Sequence, residues 1–258
     1  MPEARPLEGL HLLVTRPQEQ GQRLASTLQA LGARTSLVPL LGIETLDPDQ
    51  DTRQALLDLD RFEVVVFISR NAARAGLDAI AQYWPQWPIG LQVMAVGRST
   101  AAELEAAGLR VITPAEETSE GLLALPELQA VAGKRILIIR GLGGRETLAE
   151  HLRQRGARVE YAQVYRRILP REAAPHLEDL LAGPPPDVVL LSSGEALAHW
   201  QDLAGDKAMT PALLVVSARI EEEARAGGAT RTILSRGARD ADVVEALCHW
   251  AQQRTSSV

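Results

Sequence analysis

Cysteine is almost missing from this chain. Cys248 stands alone among 258 residues, so no internal disulfide and no cysteine-based metal cluster can form. Lysine is nearly as scarce: of 27 basic residues, only Lys134 and Lys207 are not arginine. No run of about 18 uncharged apolar residues exists, which leaves no candidate membrane-spanning helix. The opening MPEARPLEGLHLLVTRPQ holds no apolar stretch of the length that a secretory signal uses. Positive charge is not in excess either. A net charge of −6 argues against binding nucleic acid by bulk attraction. These absences together make the cytoplasm the expected location.

What remains is globular: 46% apolar and 23% charged residues, in a length that suits two domains. Short apolar, β-branched runs predict strands at 11–15, 35–40, 63–69, 93–97, 110–113, 135–140, 157–168, 187–192, 213–217 and 230–234. Helical patterns fall between them, at 18–31, 49–60, 71–82, 99–107, 119–130, 144–155, 172–182, 194–204, 219–227 and 239–253. Near-continuous apolar strands alternating with helices predict an α/β fold with parallel sheets covered on both faces. The chain also repeats itself. HLLVTRPQEQGQRLASTLQALGA resembles RILIIRGLGGRETLAEHLRQRGA, and VVVFISRNAARAGL resembles VVLLSSGEALAHW. Arg16 and Arg140, like Ser69 and Ser193, stand 124 residues apart, and Gly97 and Ser217 stand 120 apart. Two similar halves with a ligand cleft between them follow as the expectation.

In parallel α/β sheets, ligands bind beyond the carboxyl ends of the strands. The turns there are Thr15-Arg16-Pro17, Ser69-Arg70-Asn71, Gly97-Arg98-Ser99-Thr100, Arg140-Gly141-Leu142-Gly143, Ser192-Ser193-Gly194, Ser217-Ala218-Arg219 and Ser235-Arg236-Gly237. Helix capping accounts for any one of them. Taken together, helix-start amides beside guanidinium groups describe contacts for a ligand with several anionic groups. Competing chemistries find little support. Gly141-Leu142-Gly143-Gly144 is a poor dinucleotide fingerprint, because Glu146 occupies the third glycine position. There is no GxxxxGK[ST] loop, no GxSxG elbow and no HExxH pair, so phosphate-loop chemistry, elbow-type hydrolysis and metal catalysis have no support. Tyr165, one of three tyrosines, lies in the long extended run 157–168, where it either packs on the sheet or faces a ligand.

The full set of blocks, LLVTRPQEQGQRLASTLQALGA, VVVFISRNAARAGL, MAVGRSTAAELEAAGL, ILIIRGLGGRETLAEHLRQRGARVEYAQVYRR and DVVLLSSGEAL, resembles the uroporphyrinogen-III synthases. These are cofactor-free enzymes of tetrapyrrole (haem) biosynthesis. The resemblance implies two similar α/β domains joined by two crossing strands: 1–38 plus 168–258 as one, 44–161 as the other, with crossings at 38–44 and 161–167. It implies cyclisation of linear hydroxymethylbilane, a polycarboxylate, with loss of water and inversion of ring D. Matched position by position, Tyr165 becomes the candidate catalytic group. Ser69, Asn71, Arg98, Ser99, Thr100, Ser192 and Ser193 become substrate contacts. Ser217 and Arg219 sit where the family's threonine-bearing turn would be, and here that threonine is missing. The strand-end reading adds Arg16, Arg140 and Gly141. The expected partners are the substrate and a transient handover from hydroxymethylbilane synthase, with no nucleic acid, no membrane and a monomeric protein. The other readings are a two-lobed sensor of anionic ligands and, more remotely, a nucleotide-dependent transferase.

Overall fold

The computed structural model describes residues 5–255. In chain order the elements are β1 (His11–Val14), α1 (Gln18–Ala30), β2 (Arg34–Leu37), β3 (Gly42–Thr45), α2 (Gln50–Leu57), β4 (Val64–Phe67) and α3 (Arg70–Ala81). Next come β5 (Gln92–Ala95), α4 (Arg98–Ala106), β6 (Val111–Ile112), α5 (Ser119–Ala124), β7 (Arg135–Gly141) and α6 (Thr147–Gln154). The chain continues with β8 (Arg158–Ile168), α7 (Ala173–Ala182), β9 (Val188–Leu191), α8 (Gly194–Ala204), β10 (Ala212–Val215), α9 (Ala218–Ala226), β11 (Thr232–Leu234) and α10 (Asp240–Thr255).

Two compact units result. One holds the residues up to Gly42 and those from Ile168 onward; the other runs from Ile43 to Arg167. The chain passes between them at the start of β3 and at the end of β8, in extended backbone both times. The first unit is built on a five-stranded sheet of order β11-β10-β9-β1-β2, and the second on a six-stranded sheet of order β3-β8-β7-β4-β5-β6. Substituting each strand by its repeat partner turns one order into the other, with β3 left over at an edge. In both sheets the strand order reverses beside one strand pair, β1/β9 in the first and β7/β4 in the second. In parallel α/β sheets, ligand crevices lie beyond the carboxyl ends of such pairs.

Both faces of each sheet are covered, which is why the strands read as unbroken apolar runs. On β4, Val65 and Phe67 join a core with residues of α2, α3 and α4, while Val64 and Val66 join another under α5 and α6. On β1, Leu13 packs towards α7, α8 and α9, while Leu12 and Val14 pack towards α1 and α10.

Proline and glycine move several predicted boundaries. The strand predicted at 35–40 ends at Leu37, ahead of Pro39. The helix predicted over 119–130 stops at Ala124, because Pro126 drives Leu125 out of the helical region (ψ 139°); a 3-10 turn follows at Pro126–Leu128. The helix predicted from 144 begins at Thr147, since Gly143 and Gly144 take φ of +74° and +95°. Within the crossing strand implied over 38–44, regular strand begins only at Gly42, where β3 joins the edge of the six-stranded sheet beside β8.

Candidate functional site

In the six-stranded unit the site forms where β4, β7 and β8 end. Ser69 follows β4 in extended conformation and caps α3, accepting a 3.0 Å hydrogen bond from the Ala72 amide. Its Oγ also lies 3.0 Å from the Tyr165 hydroxyl. Tyr165 reaches that position through an irregularity in the sheet. β8 pairs with β7 in register up to Arg140↔Gln163, and the next pair is Gly141↔Tyr165, so Val164 is an extra residue. Uninterrupted alternation through 161, 163 and 165 would put Tyr165 on the same face as Tyr161. With the extra residue, Val164 and Tyr165 both join the core under α3, while Tyr161 packs on the opposite face. The ring of Tyr165 rests directly on Gly141, where a Cβ would stand 2.6 Å from Cζ, and the Leu142 amide donates to the Tyr165 carbonyl at 2.7 Å. Any side chain at position 141 would displace the tyrosine.

Arg140 does not present an open guanidinium. Its side chain is 2% exposed, Nη1 donates to Glu146 Oε1 at 2.7 Å, and Nη2 donates to the Gly143 carbonyl. The Tyr161 ring lies 4.7 Å from the guanidinium, and the Tyr161 hydroxyl donates to the other oxygen of Glu146. That hydroxyl bond, and then Arg140, hold the Glu146 carboxyl below the usual range, whereas burial and the same bond push the Tyr161 phenol up. Asn71 is half-buried in the first turn of α3, and Arg70 beside it is paired with Glu103 at 2.9 Å. The turn after β5 carries an exposed arginine, with the Glu117 side chain packed on Gly97 beside it. Gly97 gives α4 no side-chain cap, Arg98 is 92% exposed with Glu117 3.9 Å away, Ser99 is exposed and Thr100 is buried.

The five-stranded unit repeats the pattern with different detail. Ser193 caps α8 by accepting from the Ala196 amide (3.1 Å), with Ser192 half-buried before it, and Ser217 caps α9 by accepting from Ile220 (3.4 Å). Arg219 is exposed and engages Glu223 one turn along α9. Arg16, like its repeat partner Arg140, is turned inward: it is 7% exposed, pairs with Asp240 and donates to the Ala238 carbonyl at 2.7 Å. The picture of Arg16 and Arg140 as ligand-facing cations therefore gives way to one in which Arg140 braces the loop after its own strand and Arg16 ties the end of β1 to the segment that leads into α10. A guanidinium with internal acceptors already in place has little to offer an incoming carboxylate.

A family model described as uroporphyrinogen-III synthase HemD matches residues 22–245, which takes in every strand-end turn above except that at Arg16. The chain belongs to the uroporphyrinogen-III synthase family. Among curated relatives, uroporphyrinogen-III synthase of Salmonella typhimurium is 37% identical over 160 residues, covering 61% of this chain and 65% of that protein. The enzyme of Proteus mirabilis is 35% identical over 161 residues, covering 62% and 81%. The alignment thus spans slightly under two thirds of the Salmonella protein's length. A solved uroporphyrinogen-III synthetase from Helicobacter pylori superposes with a TM-score of 0.61 at 14% identity, over 95% of this chain and 99% of its own. A mutant uroporphyrinogen III synthase from Thermus thermophilus gives 0.60 at 16%, over 95% and 100%. At such identities these two establish the shared fold.

Within this family member, Ser69, Gly141 and Tyr165 are brought together, while Arg140 is diverted to Glu146 and Tyr161. Sequence reading took Glu146 only as a mark against a dinucleotide fingerprint and gave Tyr161 no role. The available signal was Tyr161 itself, one of three tyrosines and in the same run as Tyr165. Among the described residues, no group of three or more His, Cys, Asp or Glu side chains could hold a metal ion, and no helix is long and apolar enough to cross a membrane.

Proposed function

We propose that this protein is a uroporphyrinogen-III synthase, closing linear hydroxymethylbilane into uroporphyrinogen III with inversion of ring D. The observation that carries the reading is the Tyr165–Ser69 hydroxyl pair at the strand-order reversal of the six-stranded sheet, in a chain that matches the family along most of its length. In the proposed reaction the ring A hydroxyl leaves as water, and the electron-rich ring D attacks the resulting cation at its substituted carbon. The spiro intermediate then fragments and recloses, releasing a proton. The pyrroles supply the electrons, so the protein's main task is to hold reacting carbons together. Tyr165 assists by donating a hydrogen bond to the departing hydroxyl. Ser69 already accepts from the Ala72 amide, which leaves its own proton to donate to the Tyr165 oxygen as negative charge gathers there.

The turns at Gly97–Thr100, Ser192–Ser193 and Ser217–Arg219 take the carboxylates of the substrate through helix-start amides and the exposed Arg98 and Arg219. Replacing Arg98 or Arg219 by alanine is expected to raise KM several-fold and change kcat less; unchanged KM in both would reduce these arginines to surface ion pairs. The protein acts as a cytoplasmic monomer that receives its unstable substrate from hydroxymethylbilane synthase.

The deciding experiment supplies freshly made hydroxymethylbilane to the purified protein, with no metal or nucleotide added, and separates the oxidised products by chromatography. An excess of the type III isomer over the spontaneous type I product supports the reading. Type I alone, with folded protein, overturns it.

A further inference from the structure

The loop from Gly141 to Glu146 is fastened to β8 from both faces of the sheet. On one face, the Leu142 amide donates to the Tyr165 carbonyl, and the Tyr165 ring covers Gly141. On the other, Arg140 folds back to donate to the Gly143 carbonyl and to Glu146, while Tyr161 stacks on the guanidinium and donates to Glu146. Nε of Arg140 is buried without an acceptor. A guanidinium sealed away to this degree holds its place only while its remaining partners are fixed. Glu146 is 47% exposed, so it can be altered without opening the core.

We infer that Glu146, acting through Arg140 and Gly141, is a positioning residue that holds the Tyr165 hydroxyl against Ser69; this rests on the role proposed for Tyr165 above. The path is short. Arg140 and Gly141 are consecutive, the register slips between them, and Gly141 is the floor under the Tyr165 ring. Loss of the Glu146 charge removes the anion that balances Arg140, the loop relaxes, and the ring resting on it moves.

The test compares Glu146→Gln, Tyr165→Phe and the double variant, with Glu150→Gln, an exposed carboxylate one turn along α6, as the control. Glu146→Gln is expected to lower kcat about tenfold at unchanged KM, and Glu150→Gln to match the parent. In the Tyr165→Phe background the same change should cost nothing further, because the group being positioned is gone. Equal losses in both backgrounds, or none in either, would overturn the inference. A measurement independent of turnover accompanies it: with fluorotyrosine at the three tyrosines, Glu146→Gln should shift the Tyr165 fluorine resonance and leave that of Tyr83 in place. A stationary Tyr165 signal overturns the positioning role whatever the protein catalyses. A shifted signal without any type III product would instead sink the proposed reaction and leave the clasp standing.

Discussion

Tyr165 owes its neighbours to one surplus residue. Val164 interrupts the pairing of β7 with β8, the tyrosine changes face, and its hydroxyl comes to Ser69. Tyr165→Phe keeps the packed ring and removes only the hydroxyl, so the expected result is a kcat lowered about tenfold to a hundredfold, with turnover retained. Single-turnover rates of type III formation would check it, and an unchanged rate would take the tyrosine out of the chemistry. Gly141→Ala tests the other side of the contact. An added methyl would sit 2.6 Å from Cζ, so overpacking should cost about 1–3 kcal/mol, visible as a lower midpoint in urea. No loss of stability would mean that the ring can move aside freely. Burial separates the arginines in a way that composition cannot. Arg16 and Arg98 look alike in the sequence, yet one meets Asp240, 224 residues away, and the other stands in solvent.

At the scale of elements, β1 and β2 carry a buried titratable group at the end of the sheet remote from the strand-end turns. His11 is 7% exposed, Nε2 lies 2.9 Å from Ser36 Oγ, and Nδ1 is buried without a partner. Burial, then the charge of Arg34, lower its pKa, with Asp187 opposing. The unfolded chain therefore takes up a proton more readily than the folded one. The stability that neutral His11 contributes is complete above about pH 6.5 and is lost as the pH falls from there towards its lowered folded value. Thermal midpoints measured between pH 7.5 and 5.5 should fall more steeply for the natural chain than for His11→Gln; parallel curves would refute this. The elements themselves were largely legible, because strands buried on both faces, such as VVVF and VVLL, leave continuous apolar runs. What escaped was set by single residues acting on the backbone: Pro126 cutting a helix short, Gly143 and Gly144 delaying one. β3 is missing from the strands read from apolar runs, although the resemblance placed a crossing strand over 38–44, because GIET alternates between half-buried and exposed positions and carries no such run. The residues gathered at Ser69 could be named from the turns, but the face change of Tyr165 could not, since a one-residue excess between paired strands leaves no mark in either strand alone.

At the scale of the whole molecule, the two units share a sheet order but are threaded differently. The five-stranded sheet begins with β1 and β2 on one side and is finished by β9, β10 and β11 on the other; the six-stranded sheet, after its edge strand β3, lays down β4, β5 and β6 first and ends with β7 and β8 on the other side. Residues 43–167 contain every strand of their sheet apart from the first residue of β3 and the last of β8, and their length suits a domain. Expressed alone, this segment should give a cooperative melt by circular dichroism. Residues 168–258 alone, deprived of β1 and β2, should not, until the first 42 residues are joined to them. A cooperative melt from the short C-terminal piece would contradict this account of the fold. The same threading has a consequence on the ribosome. Translation delivers residues at about 5–20 per second, and β1 emerges long before β9, which carries on from Asp187, 176 positions after His11. For several seconds the nascent chain would hold a completed later unit and an orphaned β1-α1-β2 fragment with both edges open. In that interval the fragment is exposed to mispairing and to chaperone capture.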